Sequence, residues 1–201
     1  MIVKTYPYGP LSSNMYFLSA DSGCFLIDPS VSPHVIEDDL PGKIDYILIT
    51  HGHFDHIYAV DQWAQRFPEA KIYCSSDDFI CFEDPSYNSS HDFFERCEYK
   101  TRPLAVETLK LDGFSVIHTP GHSKGSVCYL FEQGEQKLMF TGDMLFAGSI
   151  GRTDLKGGEE AKMMESIGVL KKLSSDIIIY PGHGPSSILN KEFLNNPFFN
   201  L

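Results

Sequence analysis

Hydrophobic and polar positions along the chain form short runs that are typical of β-strands separated by turns. These runs fill the first part of the chain and return after residue 105, with Gly, Pro, Ser and Asn between them. Elsewhere the apolar residues have helical spacing, as at Val60, Trp63, Ala64 and Phe67. The pattern predicts strands at residues 1–6, 14–19, 23–28, 44–49, 71–74, 114–118, 126–131, 137–140 and 177–180, and helices at residues 33–40, 58–67 and 159–173.

The order of these segments predicts sheets packed together with helices outside, because strands lead each half of the chain and helices follow. A chain of 201 residues can bury a sizeable core, and we expect one domain over residues 1–201. Residues 75–103 differ in character, being acidic, aromatic and broken by a turn signal at residues 84–86. Two interpretations stay open for this segment, a flap over a site or a packed surface excursion.

The composition and charge of the chain exclude some classes of binding partner. A net charge of −11 argues against a nucleic-acid surface and against binding to anionic lipid. No apolar run approaches the roughly 20 residues of a membrane span, and the first residues lack the pattern of a signal peptide. The five cysteines are an odd number without a CxxC pair, which fits reduced thiols. We therefore expect a cytoplasmic protein that acts on a small molecule.

Candidate chemistry is concentrated in the stretch Thr50-His51-Gly52-His53-Phe54-Asp55-His56, directly after the apolar run at residues 44–49. Three of the eight histidines fall within it. Imidazole and carboxylate are ligands that suit zinc, iron and similar ions. Alternate residues of an extended loop point to the same side, so His51 and His53 can hold one ion while Asp55 and His56 face a neighbouring one.

Three further places put a histidine or an aspartate beside a glycine at the end of a predicted strand. Glycine lets the backbone turn sharply, so that one side chain can face inward. A single histidine in such a loop is usually only a loop residue, but the repetition predicts a shared metal site. The three places are Thr119-Pro120-Gly121-His122-Ser123, Thr141-Gly142-Asp143 and Pro181-Gly182-His183-Gly184.

With these motifs in order along nearly the whole chain, the sequence resembles the metallo-β-lactamase fold superfamily, and within it the glyoxalase II-like hydrolases. The stretch Gly148-Ser149-Ile150-Gly151-Arg152-Thr153-Asp154 adds to the resemblance. It implies an α/β (α+β) fold, the four-layer αββα sandwich, with the site at one edge between the two sheets. Because the chain ends soon after His183, we expect the short bacterial form without the C-terminal helical domain.

The resemblance also implies roles for individual residues. His51, His53 and His122 would hold one divalent metal ion, Asp55, His56 and His183 would hold a second, and Asp143 would bridge the two. Asp28 would brace the histidine loop at Thr50 from behind the ligands, where such carboxylates orient ligands and tune their basicity. Zinc is the expected metal, with iron and manganese open because both accept the same ligands.

Two divalent ions roughly 3.5–4 Å apart can generate hydroxide from water near neutral pH. The expected reaction is therefore attack by a metal-bridging hydroxide on a thioester or ester, with Asp55 as a catalytic proton acceptor. The favoured substrate is an anionic thioester such as a hydroxyacylglutathione. Arg152 is the basic residue expected near the substrate, against the alternative of a structural ion pair with Asp154.

Other functions stay open at this point. A mononuclear iron persulfide dioxygenase shares the motifs, including the stretch at residues 148–154, and retention of His56 and His183 is compatible with it. A lactonase is a further alternative. A β-lactamase is disfavoured because Asp143 occupies the bridging position, and a nuclease is disfavoured by the acidic charge. A scaffold without activity should have lost ligands, and all seven are present.

Overall fold

The computed structural model describes residues 1–93 and 96–200. Its regular elements alternate between strands and helices along the chain. The strands are β1 (Ile2–Tyr6), β2 (Met15–Ala20), β3 (Gly23–Ile27), β4 (Tyr46–Leu48), β5 (Lys71–Cys74), β6 (Leu104–Ala105), β7 (Phe114–His118), β8 (Val127–Gln133), β9 (Gln136–Gly142), β10 (Leu145–Phe146), β11 (Ser149–Ile150), β12 (Ile178–Pro181) and β13 (Ser187–Ile188). The α-helices are α1 (Phe54–Ile57), α2 (Val60–Arg66), α3 (Glu160–Leu170) and α4 (Leu189–Asn195). Short 3-10 helices cover Pro10–Ser12, Pro33–Asp39, Ser76–Phe82, Ser90–Phe93, Val106–Thr108 and Pro197–Phe199.

The strands form two main sheets. The first has the order β1-β2-β3-β4-β5-β6, with antiparallel pairing up to β3 and parallel pairing from β3 to β6. The second has the order β13-β12-β9-β8-β7, in which only β12 and β9 are parallel. Strands β10 and β11 form a separate two-stranded ribbon.

The inner faces of the two sheets pack against each other. Alternate residues of β2 and β3 point inward, and aromatic rings meet across the interface, as between Phe25 and Phe131 at 4.9 Å and between Tyr16 and Phe140 at 5.2 Å. Such ring pairs add to the burial of large apolar side chains, each of which contributes about 1.5–3 kcal/mol. This layer is the main core of the molecule.

The outer faces of the sheets are covered by helices. On the first sheet, Trp63 of α2 packs on Phe17 and Leu26, and its indole N–H donates to the carbonyl of Val31 at 2.7 Å. On the second sheet, α3 buries Met163 and α4 buries Leu189 against the outer face. Because both faces of the central strands are buried, these strands are apolar on both sides. The predicted four-layer αββα sandwich is confirmed.

Most predicted elements are present with small changes of boundary, but the short ones differ. The predicted helix at residues 33–40 is a 3-10 helix, and the predicted helix at residues 58–67 corresponds to α2 alone, because α1 precedes it within the stretch predicted to be an extended loop. The elements that the sequence pattern did not predict are β6, β10, β11, β13, α1 and α4. Two-residue strands and a seven-residue helix carry too few positions to show a period. No helix in the described ranges is long and apolar enough to cross a membrane.

The topology places several chain turns at one edge of the sandwich. Parallel neighbours have their carboxyl ends at the same edge, which applies to β3 with β4 and to β9 with β12. The loops that follow these four strands contain Asp28, the stretch at residues 50–56, Asp143 and His183. Antiparallel neighbours would have put some of these residues at opposite ends.

Candidate metal centre

The histidine loop leaves β4 in an extended conformation and then turns into α1. His53 is the residue before this helix, and Asp55 and His56 lie within it. The rings of His51 and His53 are 4.8 Å apart at the centroids, whereas His51 and His56 are 4.2 Å apart. All four side chains are buried. The change from extended chain to helix therefore presents ligands on two sides of His51.

The other three candidates reach the same place from different loops. His122 follows β7, Asp143 follows β9 and His183 follows β12. The structure groups the side chains into three sets whose possible ligand atoms lie within 4.8 Å of one another. These sets are His51 with His53 and His122, His51 with His56 and Asp143, and Asp55 with His56 and His183. The three-histidine set is called the first group below, and the Asp55 set the second group.

Asp143 lies between the two groups. Its Oδ2 is 3.5 Å from His122 Nε2 in the first group and 3.5 Å from His183 Nε2 in the second. Its Oδ1 is 3.3 Å from His56 Nε2. Within the second group, Asp55 Oδ2 is 3.2 Å from His183 Nε2. One carboxylate can therefore reach cations held by either group.

Four buried side-chain atoms of the centre have no hydrogen-bond partner among the described residues. They are the Nε2 atoms of His51, His53 and His56 and the Oδ1 atom of Asp143. A buried polar atom without a partner is costly, so native structures rarely keep one unless water or an ion satisfies it. The donor set of imidazole and carboxylate suits zinc, iron or manganese. These residues therefore fit divalent cations.

Burial and local charge divide the centre electrostatically. Burial and, to a lesser extent, the nearby His122 ring lower the pKa of His53 to about 3, and the pKa of His51 is shifted well below its ordinary value mainly by burial. Neutral imidazole is the form that binds a metal. Burial also disfavours a charged His183, but close contact with Asp143 and Asp55 outweighs it and raises the pKa of His183 to about 9. The second group thus attracts positive charge.

Asp28 and Thr50 lie directly behind the candidate ligands. Asp28 Oδ1 accepts from the backbone N–H of Thr50 at 2.7 Å, and Oδ2 accepts from the Thr50 hydroxyl at 2.7 Å. The same Oδ2 is 3.0 Å from Nδ1 of His56, and Thr50 Oγ1 is 3.1 Å from Nδ1 of His51. With these contacts to Nδ1, the Nε2 atoms of both histidines face the centre.

Arg152 contacts the centre through its backbone rather than its side chain. Its carbonyl lies 2.7 Å from Nδ1 of His122 and accepts that ring's N–H. Its guanidinium is exposed and forms a two-pronged ion pair with Asp154 at 2.6 and 2.7 Å. The structural alternative for this side chain is therefore observed, and its role as a substrate contact stays a prediction.

Several supporting residues were not anticipated. Ser13 donates its hydroxyl to the carbonyl of Asp55 at 2.7 Å, and Asn14 donates its amide to the carbonyls of Pro181 and Gly184 at 3.0 and 2.9 Å. These bonds connect residues 42 or more positions apart in the sequence. The sequence offers no signal for them, because Ser and Asn are ordinary turn residues there.

The described part of residues 75–103 packs against the centre. Cys81, Phe82 and Asn88 are buried, and the carbonyl of Asn88 accepts from the N–H of Phe54 at 2.9 Å. The Phe93 and Phe54 rings lie 5.5 Å apart. These contacts favour the packed interpretation over a flap for the residues described. Residues 94 and 95 of this segment lie outside the described ranges.

Comparison with known proteins places these features in context. The sequence model of the family described as "Metallo-beta-lactamase superfamily" matches residues 8–183. "Probable metallo-hydrolase YqgX" of Bacillus subtilis (strain 168) is 34% identical over 209 aligned residues, which cover 98% of this chain and 97% of that protein. "Hydroxyacylglutathione hydrolase GloC" of Haemophilus influenzae is 36% identical over 173 residues, which cover 81% of this chain and 79% of that protein.

Two solved structures are also similar to this chain over nearly its whole length. The crystal structure of the BLEG-1 B3 metallo-beta-lactamase is similar to this chain, with a TM-score of 0.87 and 35% identity. The alignment covers 100% of both chains. The structure of TTHA1623 in a di-iron-bound form has a TM-score of 0.82 and 33% identity, with 98% of this chain and 100% of that chain covered. A similar protein has therefore been seen with two metal ions.

Proposed function

The chain belongs to the metallo-β-lactamase superfamily, and on that premise we propose that it is a dinuclear metal-dependent hydrolase of thioesters or esters. The substrate proposed is an anionic thioester of the hydroxyacylglutathione type. Metal-dependent hydrolysis is the property that the superfamily and the named relatives support. The number of ions, the metal and the substrate are the parts that belong to the proposal.

One observation carries the proposal: Asp143 lies between two groups of ligands whose buried atoms lack partners. Its two carboxylate oxygens are 3.3–3.5 Å from His56 and His183 in the second group and from His122 in the first. A site for one ion would need only one of these groups of ligands. Two groups that share a carboxylate favour two ions held side by side.

Two divalent ions bound there would activate water as a nucleophile at neutral pH and polarise a substrate carbonyl. The chain itself supplies orientation and proton acceptance. Asp55 stays ionised, because the neighbouring His56 and His183 outweigh the effect of burial and lower its pKa. We assign to this carboxylate the acceptance of the proton that the nucleophile releases.

The substrate class rests on similarity and on charge. The relative named as a hydroxyacylglutathione hydrolase shares 36% identity over most of this chain. The chain has a net charge of −11, and the Arg152 guanidinium is paired with Asp154. Since the chain is acidic and this guanidinium is already paired, the attraction for an anionic substrate would come from the bound cations. Nucleic acids and membranes are not proposed as partners, and zinc is the metal proposed.

The test combines metal content with turnover. Protein purified without added metal is analysed for its elements and assayed with a hydroxyacylglutathione thioester. We expect about two ions per chain and hydrolysis of the thioester. About one iron per chain, no hydrolysis, and oxygen uptake with glutathione persulfide would instead indicate the dioxygenase.

Two variants make this experiment specific to the centre. Asp143→Ala removes the shared carboxylate, so we expect the content to fall from about two ions to about one or none, with loss of turnover. Asp176→Ala is the matched control, because Asp176 is exposed and pairs with Lys137 and Ser174 at the surface. Two tightly bound ions in Asp143→Ala would show that the bridging assignment is wrong.

A further inference from the structure

Asp78 is a buried carboxylate outside the set of candidate ligands. It belongs to the 3-10 helix Ser76–Phe82 and has only 2% of its surface exposed. Within residues 1–93 and 96–200, no Lys, Arg or His side chain donates a hydrogen bond to it. A carboxylate in such a place is costly unless hydrogen bonds offset the loss of water. The hydrogen bonds that Asp78 accepts must therefore stabilise its buried carboxylate.

The three hydrogen bonds that the described part of the chain makes to the Asp78 carboxylate come from the two loops that carry the first group. Oδ2 accepts from the backbone N–H of Gly52 at 2.9 Å, and Gly52 lies between His51 and His53. The same Oδ2 accepts from the hydroxyl of Ser123 at 2.7 Å, the residue after His122. Oδ1 accepts from the N–H of Gly125 at 2.7 Å. One carboxylate thus joins loops that are far apart in the sequence.

The helix that carries Asp78 fits closely against both loops. A Cβ on Gly125 would lie 2.6 Å from Cγ of Asp78, and a Cβ on Gly52 would lie 2.5 Å from Cβ of Cys81. Both distances are shorter than real contacts allow. The absence of side chains at these two positions therefore lets the helix sit directly on the loops, which fixes the position of Asp78 relative to them.

The chemistry at Asp78 requires a carboxylate rather than an amide. Burial raises the pKa of this carboxyl, and the bonds from Ser123 and Gly52 oppose that shift because they stabilise the ionised form. Each oxygen receives donors only, so an asparagine would turn its NH₂ group toward an N–H or O–H donor. Hydrogen bonds to an ionised acceptor are stronger than neutral ones.

We propose that Asp78 is the positioning residue for the first group: it holds the loop of His51 and His53 against the loop of His122. The two loops meet where His53 Nδ1 and His122 Nε2 lie 2.8 Å apart. Asp78 thereby sets the affinity of the first group for a divalent cation. This inference rests on the metal centre of the proposed function but not on the thioester substrate.

Asp28 provides a contrast within the same centre. Its carboxylate contacts Nδ1 of His56 in the second group, and it also accepts from Thr50, whose hydroxyl oxygen lies beside Nδ1 of His51 in the first group. Asp78 makes no contact with the second group in the described residues. Asp28 therefore acts on both sides of the centre, and its substitution should weaken both ions, whereas substitution of Asp78 should weaken the ion of the first group alone.

The test is a titration of the metal-free protein with Zn²⁺ in competition with a chromophoric chelator. Histidine-ring ¹H–¹⁵N spectra identify which imidazoles carry the ion at each step. In Asp78→Asn we expect affinity at His53 and His122 to fall about 10–100-fold, with little change at His56 and His183. Amide exchange at Gly52 and Gly125 should also accelerate, a readout that requires no metal.

Asp61→Asn is the matched control. Asp61 also accepts two backbone N–H groups and one hydroxyl, from Lys100 and Thr101, but away from the centre. We expect it to bind Zn²⁺ like the natural protein. If Asp78→Asn does not fold, Ser123→Ala removes one of the three bonds and keeps the carboxylate, and we expect about a threefold to tenfold loss at the first group.

The outcomes separate the inference from the proposed function. Two results in the folded Asp78→Asn variant would overturn the role of Asp78 and leave the proposed function intact. One is wild-type Zn²⁺ affinity at His53 and His122, and the other is equal weakening of both groups. If only Ser123→Ala folds, unchanged affinity there would have the same meaning. If the natural protein binds no Zn²⁺, Fe²⁺ or Mn²⁺, the metal centre and this inference both fail.

Discussion

At the scale of single residues, the centre depends on which atom of each side chain is held and which is left available. Thr50 contacts Nδ1 of His51, Asp28 contacts Nδ1 of His56, and the Arg152 carbonyl contacts Nδ1 of His122. Each contact leaves the Nε2 atom of that ring for the centre. His53 differs, because its Nδ1 is the atom beside His122 Nε2. Ring orientation is therefore set by neighbours behind the ligands.

Substitution of Arg152 separates the roles of its two ends. In Arg152→Ala the carbonyl that holds His122 remains, so we expect the metal content to be unchanged. Because the guanidinium is exposed and paired with Asp154, we also expect KM for an anionic thioester and for a neutral ester to change by the same factor. Elemental analysis and steady-state kinetics measure both quantities.

A rise in KM confined to the anionic substrate would instead identify the Arg152 side chain as a substrate contact. Asp154→Ala serves as the companion variant, since it removes the partner of the guanidinium and keeps the charge of Arg152 itself. An anionic substrate should then bind at least as well as it does to the natural protein.

At the scale of elements, the positions of the ligands follow from where strands end and helices begin. β4, β7, β9 and β12 each end a few residues before a candidate ligand. α1 is only four residues long, yet it separates Asp55 and His56 from the extended part of the loop. A glycine in a turn can adopt a positive φ that other residues disfavour, whereas a glycine inside a helix has no such function. Substitution by alanine should therefore destabilise the protein at a turn glycine and stabilise it at a helix glycine.

Gly168 lies inside α3, and a Cβ placed on it would meet no atom within 4 Å. Because glycine is a poor helix former, we expect Gly168→Ala to stabilise the protein by about 0.5–1 kcal/mol. That change corresponds to a rise in the unfolding midpoint of roughly 1–4 °C. Thermal unfolding followed by circular dichroism measures it.

Gly134→Ala is the contrasting variant. Its Cβ would also meet nothing within 4 Å, but the residue has a φ of +60° in the turn between β8 and β9. An alanine there should lower the unfolding free energy by about 1–2 kcal/mol. Equal effects of the two substitutions would show that local backbone conformation does not determine the outcome.

At the scale of the whole molecule, the two sheets bring the ligands together from distant parts of the sequence. The first sheet contributes the loop after β4, and the second contributes the loops after β7, β9 and β12. Hydrogen bonds cross between the sheets near the centre, as from the Tyr129 hydroxyl to the Ile49 carbonyl at 2.6 Å and from the Tyr16 hydroxyl to the Pro181 carbonyl at 2.6 Å. Metal binding should therefore stabilise the sandwich as a whole.

Removal of metal tests this coupling. A ligand at 100 times its dissociation constant stabilises the folded state by about 2.7 kcal/mol, so we expect a chelator to lower the unfolding midpoint by roughly 5–10 °C. The measurement is thermal unfolding with and without EDTA. In Asp143→Ala, which should keep about one ion or none, the chelator should cause a smaller shift or no shift. A chelator effect of equal size in that variant would contradict the coupling.

The sequence by itself determined the residue types of the centre and the architecture around it. Ligand motifs are local, so histidine spacing at residues 51–56 and glycine beside His122, Asp143 and His183 could be recognised without coordinates. The structure brings all seven predicted ligands to one place, and their role as ligands stays a prediction that metal analysis must test. The single domain over residues 1–201 and the cytoplasmic location also remain predictions.

Only the tertiary structure decided which groups hold these ligands in place. Asp78 lies in a segment whose sequence has no recognisable period, and its partners Gly52 and Gly125 are 26 and 47 positions away. The carbonyl of Arg152 belongs to the backbone, which no side-chain motif can reveal. Long-range hydrogen bonds arise when separate strands are packed into one sandwich, and local sequence patterns contain no information about such pairings.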